Sequence, residues 1–94
     1  MTKAELVNEI AIQTGYDRVS INNIVEAAMY NVMKSVAADE GVYLRGFGTF
    51  TTKVRKQKYA RNITRNTTVL VPEHKIPFFK PAPDFMNTVR DDKK

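Results

Sequence analysis

Apolar positions recur at helical spacing through the first forty residues and at strand spacing through most of the rest, so the chain changes character near Gly41. Leu6, Val7, Ile10 and Ala11 stand at threes and fours, the repeat of a helix with one covered face. Thr2 and Glu5 have the spacing of a capping box: the Thr2 hydroxyl accepts an orphan amide while Glu5 reaches back to the Thr2 N–H. Gly15 supplies a left-handed stop, which predicts a first helix over Lys3 to Thr14. Asp17 is the next N-cap, and Ile21, Ile24, Val25, Ala28, Val32 and Val36 carry the apolar stripe of a second helix over Arg18 to Ala38, with Gly41 ending the helical region. Met29 and Met33 widen that stripe beyond what a short first helix covers, so part of it is expected to face a partner subunit.

From Val42 the period shortens. Val42-Tyr43-Leu44 and Thr49-Phe50-Thr51-Thr52 flank Gly46-Phe47-Gly48, a glycine pair able to take positive φ, which predicts a hairpin with Phe47 and Phe50 in the core. After Val54 charge occupies both alternation parities, with Arg55 on one and Lys56 and Lys58 on the other, so neither face of the strand can be buried in protein. A returning strand, Thr67 to Val71, is spaced to pair with this extension around a polar turn at Asn62 to Asn66. The expected result is a protruding two-stranded ribbon of about ten residues per strand, or about 30 Å. Pro72 has no amide to donate and is expected at an edge or a bulge. Ile76, Phe78 and Phe79 return the chain to the core, and Pro83 to Arg90 reads as a short last helix followed by a frayed tail, Asp91 to Lys94.

These elements predict a single α+β domain over residues 1–94: two N-terminal helices in a dimerisation part (1–40), a three-stranded antiparallel sheet with a protruding β-ribbon arm (41–81), and a C-terminal helix with its tail (82–94). Ninety-four residues build only a modest core, so association is expected to supply more. The absence of cysteine removes disulfides and the usual zinc frameworks and suits a reducing interior. Lys3, Glu5 and Glu9 interrupt the N-terminus where a secretory leader would be apolar, and no run approaches the ~20 apolar residues of a membrane span. A protein of the cell interior is therefore expected.

Charge decides what the ribbon is for. Arg45, Lys53, Arg55, Lys56, Lys58, Arg61, Arg65, Lys75 and Lys80 face one acid, Glu73, a net of +8 within a chain whose total is only +5. A field of that shape attracts a polyanion. A two-stranded ribbon fits a groove of duplex DNA, and seven phosphate contacts by the basic groups at 53, 55, 56, 58, 61, 65 and 75 would give a salt slope of about −6, an upper bound for one arm. Arg61-Asn62 and Arg65-Asn66 at the turn suit the degenerate edge of the minor groove. Ile63 is a branched apolar residue at an exposed, charged tip. It is read as a wedge between base pairs, against the alternative of a small tip cluster with Val69 or Tyr59. Catalysis finds little support: His74 has no nucleophile beside it and reads as a solvated strand residue, Glu5 and Glu9 form an i, i+4 surface pair, and no phosphate loop, dinucleotide fingerprint or metal-ligand spacing is present. No enzyme, metal, cofactor or small-molecule substrate is expected.

At Arg45-Gly46-Phe47-Gly48-Thr49-Phe50, the basic strand, Ala60-Arg61-Asn62 and Ile76-Pro77-Phe78-Phe79-Lys80-Pro81, the chain resembles the bacterial HU and integration host factor family, over essentially Met1 to Val89. The resemblance implies an intertwined dimer, homodimeric or paired with a related chain, whose two arms wrap double-stranded DNA through the minor groove and kink it with an apolar tip residue. It also implies a nucleoid-associated, histone-like protein of low sequence specificity that bends and compacts DNA and prefers bent, nicked or flexible duplexes. By position it assigns Lys53, Arg55, Lys58 and Arg61 to the DNA backbone or groove, Lys3 and Lys80 to flanking DNA, and Phe47, Phe50 and Phe79 to a dimer core that Val32, Val36 and Leu44 would join. Arg45 matches a shape-reading position of one host factor subunit, but Tyr43 stands where that subunit has a supporting acid. Two further departures are the tip, Ala60-Arg61-Asn62-Ile63 then Arg65-Asn66 instead of Gly-Arg-Asn-Pro then Thr-Gly, and Ala82-Pro83 instead of Gly-Lys, which removes a phosphate contact on the body. The competing readings are a site-specific host factor subunit and a virion-associated structural module that binds protein.

Overall fold

The computed structural model describes residues 1–91, so the expected tail beyond Asp91 lies outside the described residues. Helices α1 (Lys3–Thr14) and α2 (Arg18–Ala37) are followed by strands β1 (Val42–Leu44), β2 (Gly48–Arg55), β3 (Lys58–Asn62), β4 (Thr67–Val71) and β5 (His74–Pro81), and by helix α3 (Pro83–Asp91). The Thr2 hydroxyl accepts from the Glu5 amide at 3.2 Å, as the capping box requires. The reciprocal contact differs from expectation: the Glu5 carboxylate accepts from the Thr2 hydroxyl at 3.4 Å, not from the Thr2 amide. Gly15 closes α1 at φ 79.

The end of α2 is also not where glycine would put it. Asp39 takes the left-handed position at φ 64, two residues before Gly41, and the Glu40 amide reaches back to the Ser35 carbonyl at 2.9 Å. An aspartate tolerates this conformation better than most residues because its short polar side chain can be held by hydrogen bonds. Here the donors are Thr52, at 3.0 Å, and Lys75, at 2.9 Å, so the same residue ends the helix and ties it to the sheet.

Strands β1, β2 and β5 form an antiparallel sheet in that order, while β3 and β4 form a separate two-stranded ribbon. The expected ten-residue arm is therefore divided. Arg55 pairs with His74 on one side of the division and Lys58 with Val71 on the other, which sets Lys56-Gln57 opposite Pro72-Glu73. Pro72 explains the interruption: it offers no amide to the ladder. Pro77 and Pro81 are tolerated because β5 is an edge strand. The ribbon makes the molecule long, 56 × 34 × 30 Å, with a radius of gyration of 18.6 Å where a compact chain of this length has about 13 Å.

Alternation gives the main sheet two unlike faces. Phe50, Thr52 and Val54 of β2 share one with Lys75, Pro77 and Phe79 of β5, and the Asp39 contacts to Thr52 and Lys75 identify it as the side turned to α2. Thr49, Thr51, Lys53 and Arg55 share the other with His74, Ile76, Phe78 and Lys80, and Tyr43 joins them from β1. On the inner side Phe47, Phe50, Phe79 and Phe85 form an aromatic cluster with ring centroids between 4.7 and 6.3 Å apart. Phe85 enters it from α3, a member that its position in a short helix does not announce. Gly48 is required by this packing, since a Cβ there would lie 2.6 Å from both the Lys80 carbonyl oxygen and the Phe79 ring.

Within one chain the core is small. Among the described residues only Val7, Ile21 and Val36 are buried hydrophobics. Phe47 and Leu44 remain exposed and Met33 more so, and an open apolar groove of about 620 Å³ runs between α2 and the inner face of β2 and β5.

Candidate nucleic-acid interface

The outer face of the sheet, the ribbon and its tip form one basic surface. Lys80 lies opposite Thr49, Lys53 opposite Ile76 and Arg55 opposite His74, so Lys80, Lys53 and Arg55 occupy one side of the sheet in a line leading towards the strand division. The Lys53 ammonium sits 5.1 Å from the centre of the Phe78 ring. That contact, worth about 0.5–1 kcal/mol at an exposed site, holds the stem down while leaving the charge in solvent. Beyond the division Lys58 and Arg61 lie on opposite faces of β3, both exposed. Lys56 stands in the gap.

The tip is a four-residue turn, Ile63-Thr64-Arg65-Asn66, held by side chains. The Asn62 carboxamide oxygen accepts from the amides of Thr64 at 3.1 Å and Arg65 at 3.3 Å. Asn66 takes a left-handed conformation, φ 51, and its oxygen accepts from the Arg61 guanidinium at 2.6 Å. These bonds shape the loop so that Ile63 is left 89% exposed. Such exposure is incompatible with a tip cluster on Val69 or Tyr59, which are themselves 48% and 71% exposed.

Three expected contacts are placed differently. Arg45 lies in the β1–β2 turn, exposed but not on a paired strand. Lys3, at the start of α1, is paired with Glu26 of α2. Lys75 is on the inner face, drawn to Asp39 across 2.9 Å, and so stands apart from the line formed by Lys53, Arg55 and Lys80. Both ion pairs are half exposed and each contributes little to stability on its own. Sequence spacing leaves two outer-face residues, Tyr43 and His74, without a role on this surface. Both are identified by strand register, which fixes parity only once the partners of β2 are known.

The same pairs depress carboxylate pKa values. A hydrogen bond from Lys75, then one from Thr52, then the Lys75 charge hold Asp39 below its ordinary 3.8. A hydrogen bond from Lys3 and then its charge hold Glu26 below 4.5, and the Ser20 amide lowers Asp17 in the same direction at the N-terminus of α2. Carboxyls with folded values below their unfolded ones stabilise the fold above the unfolded pKa and lose that contribution as pH falls through the folded one. The thermal midpoint is therefore expected to be level above about pH 5 and to fall below about pH 4. Asp39→Asn should flatten part of that acid limb; an acid limb identical to wild type would show that the Asp39 contacts do not persist in solution.

The family profile described as "Bacterial DNA-binding protein" matches residues 1–90. The DNA-binding protein HU of Thermus thermophilus is 30% identical over 90 residues, spanning 96% of this chain and 93% of that protein. The DNA-binding protein HU of a Synechocystis species is 30% identical over 100 residues, spanning the whole of both. Among solved structures, an Anabaena HU–DNA cocrystal structure superposes with a TM-score of 0.91 at 28% identity, covering 95% of this chain and 97% of that one. HU from Thermotoga maritima, at 21% identity and a TM-score of 0.67, shares the fold over 95% of this chain and 98% of its own.

Proposed function

The chain belongs to the bacterial DNA-binding protein family of HU and integration host factor, and from that membership we propose that it is an architectural protein that bends and compacts duplex DNA with low sequence specificity. One observation carries the reading furthest: a line of cations on the outer sheet face continues onto a narrow ribbon whose tip presents a bare Ile63. Phosphate contacts from Lys53, Arg55, Lys80 and the arm supply affinity independent of sequence. Ile63, inserted between base pairs in the minor groove, exchanges lost stacking for a bend that brings more DNA against the body. Preference then follows the ease of bending, not the identity of bases.

A second copy of this chain completes the body. The three hydrophobics buried among the described residues do not stabilise a domain of this size, and Met33, Leu44, Phe47 and the open groove beside α2 are the apolar surface that a partner covers. The dimer has two arms, and it works among the DNA of the nucleoid. Its role is binding; no reaction is assigned to it.

The test is a titration of bent, nicked and intact linear duplexes across salt, with the bend read by energy transfer between end labels. Bent and nicked duplexes are expected to bind more tightly than intact linear DNA. Equal affinity for all of them with no change in transfer would sink the bending reading, and no binding at moderate salt would sink DNA binding altogether. Ile63→Ala is expected to reduce the bend markedly while affinity for linear DNA changes by less than about five-fold, because phosphate contacts dominate affinity. If bend and affinity both stay at wild-type values, Ile63 is not the wedge.

A further inference from the structure

The chain has a single histidine, and the fold puts it on the same outer face as the line of cations. His74 opens β5 directly opposite Arg55, on the side that also carries Lys53 and Lys80. It is exposed, and it lines the open groove at the strand division together with Arg55, Lys56 and Lys58.

Its ring geometry decides what it can offer a ligand. Nδ1 lies 2.9 Å from the carbonyl oxygen of Pro72. A carbonyl oxygen only accepts, so Nδ1 carries the hydrogen of the neutral ring and Nε2 presents a lone pair. A phosphate oxygen is also an acceptor, and neutral His74 therefore has nothing to give it. With a proton on Nε2 the ring gains both a charge and a donor on the open side, and a charge-assisted bond to phosphate becomes available. The other groups facing this position are Arg55 from β2, Lys56 in the gap and Lys58 from β3, while Gln57, Val71 from β4 and Ile76 add no charge. On its own segment Glu73 precedes it as the one acid, and Lys75 follows it but is held by Asp39 on the opposite face. A phosphate drawn in by Arg55 and Lys58 thus arrives beside a ring whose bonding capacity depends on its protonation.

We propose that His74 is a proton-dependent contact to the DNA backbone, so that closing the arm on duplex DNA takes up a proton at this ring and affinity rises as pH falls. The proposal rests on the DNA-binding reading above and adds to it a pH dependence within the range where histidine side chains change charge, about pH 5 to 8.

The experiment measures affinity for one linear duplex at constant ionic strength from about pH 8 to about pH 5.5, the span of histidine titration, for wild type, His74→Gln and His74→Lys. One phosphate contact near 0.15 M salt corresponds to about a five-fold change in affinity, so wild type is expected to tighten by about that factor per protomer across the range. His74→Gln should match wild type at the alkaline end and lose most of the rise, leaving only what sites common to both proteins contribute. His74→Lys should show the acid-side affinity already at the alkaline end. Calorimetry in two buffers of different ionisation enthalpy should record proton uptake for wild type and less for His74→Gln. Parallel profiles for wild type and His74→Gln would overturn the proposal while leaving DNA binding intact; failure of all three to bind at any pH would instead overturn the DNA-binding reading.

Discussion

Phe79→Ala is expected to lower the thermal midpoint by roughly 15 °C, which makes it the most damaging single truncation in the body. The Phe79 ring is the hub of the aromatic cluster, 4.7 Å from Phe50, 5.2 Å from Phe47 and 5.9 Å from Phe85. Removing a core phenylalanine costs about 3–5 kcal/mol, and in a domain of this size each kcal/mol moves the midpoint by about 4–8 °C. The lower end applies because the cluster still borders an open groove in the single chain. Phe78, its chain neighbour, points to the outer face and carries Lys53, so Phe78→Ala should cost a third as much or less. Melting curves at two protein concentrations read both effects, and the midpoint should depend on concentration if the cluster is continuous with a dimer interface. A shift under about 5 °C for Phe79→Ala, or equal shifts for the two variants, would show that the inner face is not the core.

Much of this is legible in the sequence because each feature rests on local chemistry. The caps at Thr2, Asp17 and Gly15 bound α1 and the start of α2, and the loss of any coverable parity after Val54 announces a ribbon. The resemblance to the HU and integration host factor family, carried by the glycine-phenylalanine hairpin and the basic arm, is borne out by the family profile and the HU relatives. What escapes is set by partners distant in sequence. Asp39 ends α2 in a conformation usually left to glycine because Thr52 and Lys75 meet its carboxylate, and those partners lie 13 and 36 residues away. The same contact takes Lys75 from the basic surface to the inner face. Pro72 is expected at an edge or bulge, but only the register shows that its effect crosses to Lys56-Gln57 and separates the ribbon from the sheet. The places of Phe85 and His74 are hidden for the same reason: a residue's face depends on the register of the strand or helix that holds it, and register is a tertiary property.

The triple variant Lys53→Ala, Arg55→Ala, Lys58→Ala is expected to weaken binding to linear duplex by about a hundred-fold per arm near 0.15 M salt. Each phosphate contact contributes about 0.9 to the slope of log affinity against log salt, so the slope should become shallower by about 5 for a two-armed dimer. Arg61 is left in place because its bond to Asn66 shapes the tip, and removing it would mix loss of charge with loss of loop geometry. The chosen side chains are exposed and make no ion pair among the described residues, so the fold should tolerate the change, with a small loss from the Lys53–Phe78 contact. Relative preference for bent over linear DNA should survive if, as proposed, it comes from deformability and from Ile63 and not from these charges. The two readouts separate the roles proposed for the surface: on that reading the basic line would set how tightly DNA is held, and the tip would set what shape it takes. An unchanged salt slope would place the DNA elsewhere on the molecule, while loss of the bent-DNA preference together with affinity would mean that the cations, not the wedge, impose the bend.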